Sequence, residues 1–151
     1  MSQVISLRLR DAQMERMRRV ARRFNRTVSE TSALLLEEAM RMEEFAYVRF
    51  FASPVGRQAY LLGSSLSVWE VMFIAKSYGD DAAHTAEHLG IPLDRVLAAF
   101  NYAKTYPDEI QAAIDDNAMD FDALQRMIPG AELYRIESDA RRDAAISGDT
   151  P

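Results

Sequence analysis

Eight arginines stand within the first 26 residues, at positions 8, 10, 16, 18, 19, 22, 23 and 26, against only Asp11 and Glu15. That is a local charge of +6 in a chain of net charge −5, so residues 27–151 carry −11. A basic arm joined to an acidic remainder suits a polyanion at one end and a different task at the other. A guanidinium such as that of Arg8 can bond guanine O6 and N7 together. The Ser6 hydroxyl can serve either base type, and Val4 can touch a thymine methyl. Arg16, Arg19 and Arg23 also fit a plain solvated helix face. A second pattern is His84-Thr85-Ala86-Glu87-His88, the H-x-x-E-H order of inverted zinc proteases. Zinc chemistry would need a third ligand and an open cleft, and a helix-turn-helix already explains that spacing. No nucleophile elbow, phosphate-binding glycine loop or dinucleotide fingerprint occurs. The chain is therefore expected not to be an enzyme, with no catalytic residue, no metal and no cofactor.

These residues need elements to position them. In QVISLRLR, Ile5, Leu7 and Leu9 fall on one side of a strand, and Val4, Ser6, Arg8 and Arg10 on the other, because side chains switch faces at every residue. Asp11 offers an N-cap to an amphipathic helix with Met14, Met17, Ala21 and Phe24 on its apolar face. Asn25-Arg26 breaks it. Thr27-Val28-Ser29-Glu30 is a capping box that opens a second helix, with Val28, Leu35, Leu36, Ala39 and Met40 apolar. A lone strand has two unpaired edges, and pairing with the same strand of a second copy across a two-fold axis removes one of them. The expected dimer core is Ile5, Leu7, Leu9, Met17, Phe24, Leu35 and Leu36. At the start of the second helix, the backbone N–H groups of Val28 and Ser29 and the positive dipole end at Thr27 can hold a phosphate, flanked by Arg10 and Arg26.

In that order of elements, ISLRLRDAQMERMRRVARRFNRTVSETSALLLEEAM resembles a ribbon-helix-helix DNA-binding unit of the CopG/Arc/MetJ type. The resemblance implies that two paired strands lie in the major groove of an operator. That would set Val4, Ser6 and Arg8 against base edges.

From 45 to 62 the periodicity weakens. Strand-like pieces at Tyr47–Phe51 and Gln58–Leu62 flank Ser53-Pro54-Val55-Gly56, which leaves a connector that is either a β-hairpin or simply extended. Aromatic density at Phe45, Tyr47, Phe50, Phe51 and Tyr60 favours packing over stacking on nucleic acid. Residues 63–117 return to helix grammar as a small module of four helices. Ser67 and Glu70 form a capping box, Gly79 and Gly90 are stops, Ile91-Pro92 opens the third helix, and Pro107-Asp108-Glu109 opens the last. Ala86, Gly90 and Val96 have the spacing of a helix-turn-helix. Its would-be reading helix offers Asp94, Arg95, Asn101 and Lys104, and the helix before it Asp80, Asp81 and Glu87. That surface is poor for phosphates, so packing or protein contact is the better reading.

This region, through Gly63, Val68, Trp69, Gly79, Tyr106, Pro107, Glu109 and Ile110, resembles a small helical antitoxin module catalogued as a domain of unknown function, although Ser64-Ser65 replaces its usual Thr-Arg. The resemblance implies a cognate toxin with a PIN-like nuclease fold. Residues 118–151 form a tail in which Phe121, Leu124 and Ile128 share a helical face, and Leu133, Tyr134 and Ile136 lie in the strand-like AELYRI. Such a segment could fold onto the toxin, or pack back on the module or the other subunit.

The chain has no cysteine, hence no disulfide frame. It has no apolar run approaching the roughly 18 residues of a membrane helix, and no signal peptide is expected. The expectation is a cytoplasmic, mainly α protein with four parts. Residues 1–44 would be a ribbon-helix-helix unit paired across a homodimer, with higher order on DNA left open. The connector (45–62), the helical module (63–117) and the tail (118–151) complete the chain. The expected role is an antitoxin of a type II toxin-antitoxin system that represses its own operon. The alternative is a ribbon-helix-helix regulator without a toxin, whose helical module binds a protein or small ligand.

Overall fold

The computed structural model describes residues 3–54 and 56–127, and over these the chain is mainly helical with one small antiparallel sheet. In order come α1 (Asp11–Phe24), α2 (Val28–Glu44), β1 (Val48–Ser53), β2 (Gly56–Leu61), α3 (Val68–Ser77), α4 (Ala82–Leu89), α5 (Leu93–Thr105) and α6 (Pro107–Met127). A first compact unit ends at Asp116 and a second begins at Asn117. The first holds α1 to α5, the hairpin and the opening turns of α6.

Local chemistry sets most of the helix ends. Thr27 Oγ1 accepts the Glu30 N–H at 3.2 Å, and Glu30 Oε2 accepts the Thr27 N–H at 2.9 Å. Ser67 and Glu70 repeat the exchange at α3. Each box satisfies two N–H groups that the first helical turn leaves without intrahelical partners. Asp81 caps α4 by accepting the His84 N–H at 2.9 Å. Gly90 stops α4 in the left-handed region, at φ +63°, and Ile91 N–H closes back on Ala86 O at 3.2 Å.

Two boundaries differ from expectation. Asp11 is the first residue inside α1 and not its cap. Arg10 holds the N-cap position, and its N–H donates to Gln13 Oε1 at 3.0 Å. The last helix does not stop near Asn117 but continues to Met127, since Asn117-Ala118-Met119-Asp120 contains neither glycine nor proline to end it.

The 45–62 stretch is a hairpin, in register from Val48↔Leu61 to Ser53↔Gly56. Directly opposed residues share a face, so Val48, Leu61, Phe50 and Ala59 point one way. Val48, Ala59 and Leu61 are buried, and Phe50 packs against them. They join Val68 and Val71 of α3, Ala86 of α4, and Val96, Ala99, Tyr102 and Ala103 of α5 in one core that Phe45 and Ile110 close. The hairpin is thus a wall of the helical module. The hairpin also meets α2, through Arg57 on the face it shares with Ala59 and Leu61, and α1 packs on α2.

Two ion-pair networks fasten α2 to this core. Arg57 on β2 donates from Nε and Nη2 to Glu38 Oε1 and Oε2 at 2.5 and 2.7 Å, and from Nη2 to Phe50 O at 3.1 Å. Arg41, one helical turn further along, donates to Glu37, to the Tyr102 hydroxyl and to Glu109 at 2.7, 2.8 and 2.6 Å. Its guanidinium also lies 3.8 Å from the Tyr106 ring centroid, a cation–π contact. Burial works against the charge of Arg41, but the bonds to Glu109, Glu37 and Tyr102 outweigh it and raise its pKa further. Burial likewise holds the Tyr102 hydroxyl protonated well above the ordinary phenol range, and its bond to Glu109 acts in the same direction.

Candidate nucleic-acid interface

Residues 3–10 make no strand pairing within the described chain. Both faces of the alternating segment lie open: Val4 is 94% exposed, Ile5 76% and Leu7 74%. Its polar side, Ser6, Arg8 and Arg10, is exposed as well. An extended segment without a neighbouring strand has unused backbone donors and acceptors along both edges. The only other strands among the described residues, β1 and β2, pair with each other.

Beneath Leu9 an open groove runs between α1 and α2, lined by Leu9, Gln13, Arg16, Met17, Val20 and Leu35. Leu9, Met17 and Leu35 of the expected dimer core therefore meet. Leu36 stands half exposed elsewhere on α2. Phe24 does not join them. It lies in a separate cleft under Arg57, whose guanidinium is 5.0 Å from the ring centroid.

Most arginines of the basic arm lack acidic partners. Arg18 pairs with Glu15 at 2.5 Å, but among the described residues no carboxylate lies within ion-pair distance of Arg8, Arg10, Arg16, Arg19, Arg22, Arg23 or Arg26. Exposed cations without such partners remain free to meet phosphates. At the α2 N-terminus, Thr27 and Ser29 are exposed and Val28 half-buried. Glu30 takes the Thr27 N–H and hydroxyl, while the N–H groups of Val28 and Ser29 lack the intrahelical acceptors that later residues have. Those two Thr27 bonds, backbone first, hold the Glu30 carboxyl below its ordinary range, and the neighbouring charge of Arg26 lowers it further. Sequence reasoning placed the capping box but not its consequence, a carboxylate beside the phosphate anchor.

The acidic-to-neutral helix-turn-helix keeps Asp94, Asn101 and Lys104 exposed. Ala86 and Val96 are buried where α4 meets α5. Tyr78 engages both histidines: its hydroxyl is 2.8 Å from His88 Nδ1, and its ring stacks on His84 at 6.3 Å. Among the described residues no group of three or more His, Cys, Asp or Glu is placed to hold a metal ion. No described helix is long and apolar enough to cross a membrane. Phe121 and Leu124 lie within α6. Ile128, Leu133, Tyr134 and Ile136 are outside the described residues.

Comparison with protein-family models, with curated proteins and with solved structures finds no match to this chain.

Proposed function

We propose that this chain is a homodimeric DNA-binding repressor of ribbon-helix-helix type. Two copies of Val4–Leu9 would pair as a ribbon and set Val4, Ser6 and Arg8 against base edges. The observation that carries the reading is the combination at residues 3–10. An extended segment without a strand partner presents its apolar side chains unburied beside the Leu9–Met17–Leu35 groove, and its arginines have no acidic partners among the described residues. A second copy would cover the apolar side, and duplex DNA would take the basic side. Thr27, Val28 and Ser29, with Arg10 and Arg26, would hold backbone phosphates.

The wider role we propose is that of an antitoxin that represses its own operon and neutralises a nuclease-type toxin through its C-terminal region. Its support is the resemblance of residues 63–110 to antitoxin modules.

Arg8→Ala tests the DNA half. Selected-duplex binding should lose its preference over random sequence, while the dimer measured by sedimentation persists. A variant that still discriminates would remove Arg8 from the base-reading role. For the antitoxin half, the chain is co-expressed with the neighbouring open reading frame. Growth arrest by the neighbour alone, relieved by the full chain but not by a truncation after Asn117, is the expected result. No arrest would favour a regulator without a toxin.

A further inference from the structure

Where the end of α1 approaches the tip of the hairpin, a cleft of about 300 Å³ is lined by Arg23, Phe24, Arg26, Ser53, Gly56 and Arg57, among others. Its charges are not equivalent. Arg57 is committed to Glu38 through two hydrogen bonds and lies over the Phe24 ring, so it serves as a fixed wall whose charge is already met. Arg23 and Arg26 are exposed and have no carboxylate within ion-pair distance among the described residues. Glu30 faces Arg26 from the α2 side and tempers it. Ser53 lines the same cleft, and its Oγ is buried without a hydrogen-bond partner among the described residues. A buried hydroxyl left unbonded is costly and uncommon. A rotation of the short Ser53 side chain that turned this hydroxyl into the cleft would let an acceptor-rich anion satisfy it. Arg26 also lines the adjoining depression that contains Thr27 and Glu30, so the cleft continues the surface at the α2 N-terminus.

We propose that this cleft holds a second backbone phosphate of the duplex, next to the one at Thr27. Arg23 and Arg26 would supply charge and Ser53 Oγ a hydrogen bond. The hairpin would then be part of the DNA footprint, beyond what paired strands and helix N-termini provide. The inference rests on the DNA-binding reading of the basic arm.

The test is the salt dependence of binding of the full-length chain to a random-sequence duplex of about 30 base pairs, measured by fluorescence anisotropy, since each neutralised phosphate contributes about 0.9 to the slope of log K against log salt. Arg23→Gln should reduce the slope by about 0.9 for each of the two clefts in the dimer, about 1.8 in all. Lys104→Gln, exposed on α5 and outside the cleft, should leave it unchanged. Ser53→Ala should weaken binding a few-fold at unaltered slope, because a hydroxyl releases no counterion. An unchanged slope for Arg23→Gln, with duplex binding otherwise intact, overturns the cleft and leaves the repressor reading standing. Equal slope losses for Lys104→Gln and Arg23→Gln overturn it too, by showing diffuse attraction. Wild-type protein that binds no duplex removes both. A parallel calorimetric titration uses inorganic phosphate alone. Sub-millimolar binding there, abolished by Arg23→Gln, would assign the cleft to a free phosphate-bearing ligand and overturn the duplex assignment.

Discussion

Replacing Arg57 by methionine keeps most of the side chain's apolar length but removes the cation that Glu38 was built around. The Glu38 side chain is 6% exposed and that of Arg57 22%. Loss of the arginine therefore strands a carboxylate that cannot easily reach water, while loss of the carboxylate strands a guanidinium that can. Breaking a buried pair from one side costs about 3–5 kcal/mol, and partial exposure of this pair places Arg57→Met near the lower end, about 3 kcal/mol. Glu38→Gln removes the charge yet leaves an amide oxygen for Arg57, so its cost should be about 1 kcal/mol, that of an ordinary hydrogen bond. Substituting both residues with methionine should recover most of the loss, because apolar replacements of buried ion pairs are often near neutral. Urea unfolding at one fixed protein concentration measures all three. If Arg57→Met cost no more than Glu38→Gln, Glu38 would have a route to solvent. The pair would then not be what fastens α2 to the hairpin.

Glu30 provides a pH test. Its folded carboxyl is held below the ordinary value of 4.5, so its ionised form contributes stability above that value and the contribution is lost as pH falls through the lower folded value. The stability gap between wild type and Glu30→Gln should thus be widest near neutral pH and close on acidification, and a gap that is flat with pH would contradict the capping geometry. Tyr102→Phe removes a hydroxyl that donates to Glu109 and accepts from Arg41. It should cost about 1–2 kcal/mol in the same unfolding assay, since both former partners retain other bonds or solvent access. Gly90→Ala meets no atom within 4 Å at its new Cβ. Its cost should be the left-handed backbone alone, about 1–2 kcal/mol, and a near-zero value would mean that the α4–α5 turn readjusts.

The interactions that could be read directly were those closed within a few residues. Thr27 with Glu30, Ser67 with Glu70 and the Gly90 stop all lie within one turn of chain, so residue type and spacing nearly specify their partners. The alternation at residues 3–10 was equally plain, but a strand needs a neighbour, and the described residues offer it none. Spacing says nothing about partners far away in the chain. Arg57 finds Glu38 across 19 residues, and Arg41 reaches Tyr102 and Glu109 across 61 and 68. By residue type nothing distinguishes either arginine from the exposed ones of the first 26 residues. Burial singles them out, because a charge withdrawn from water must meet an opposite one, and where that happens depends on how α2, the hairpin and α5 come together. For the same reason Phe24, apolar and on the expected face of α1, lies under Arg57 in the cleft apart from Leu9, Met17 and Leu35.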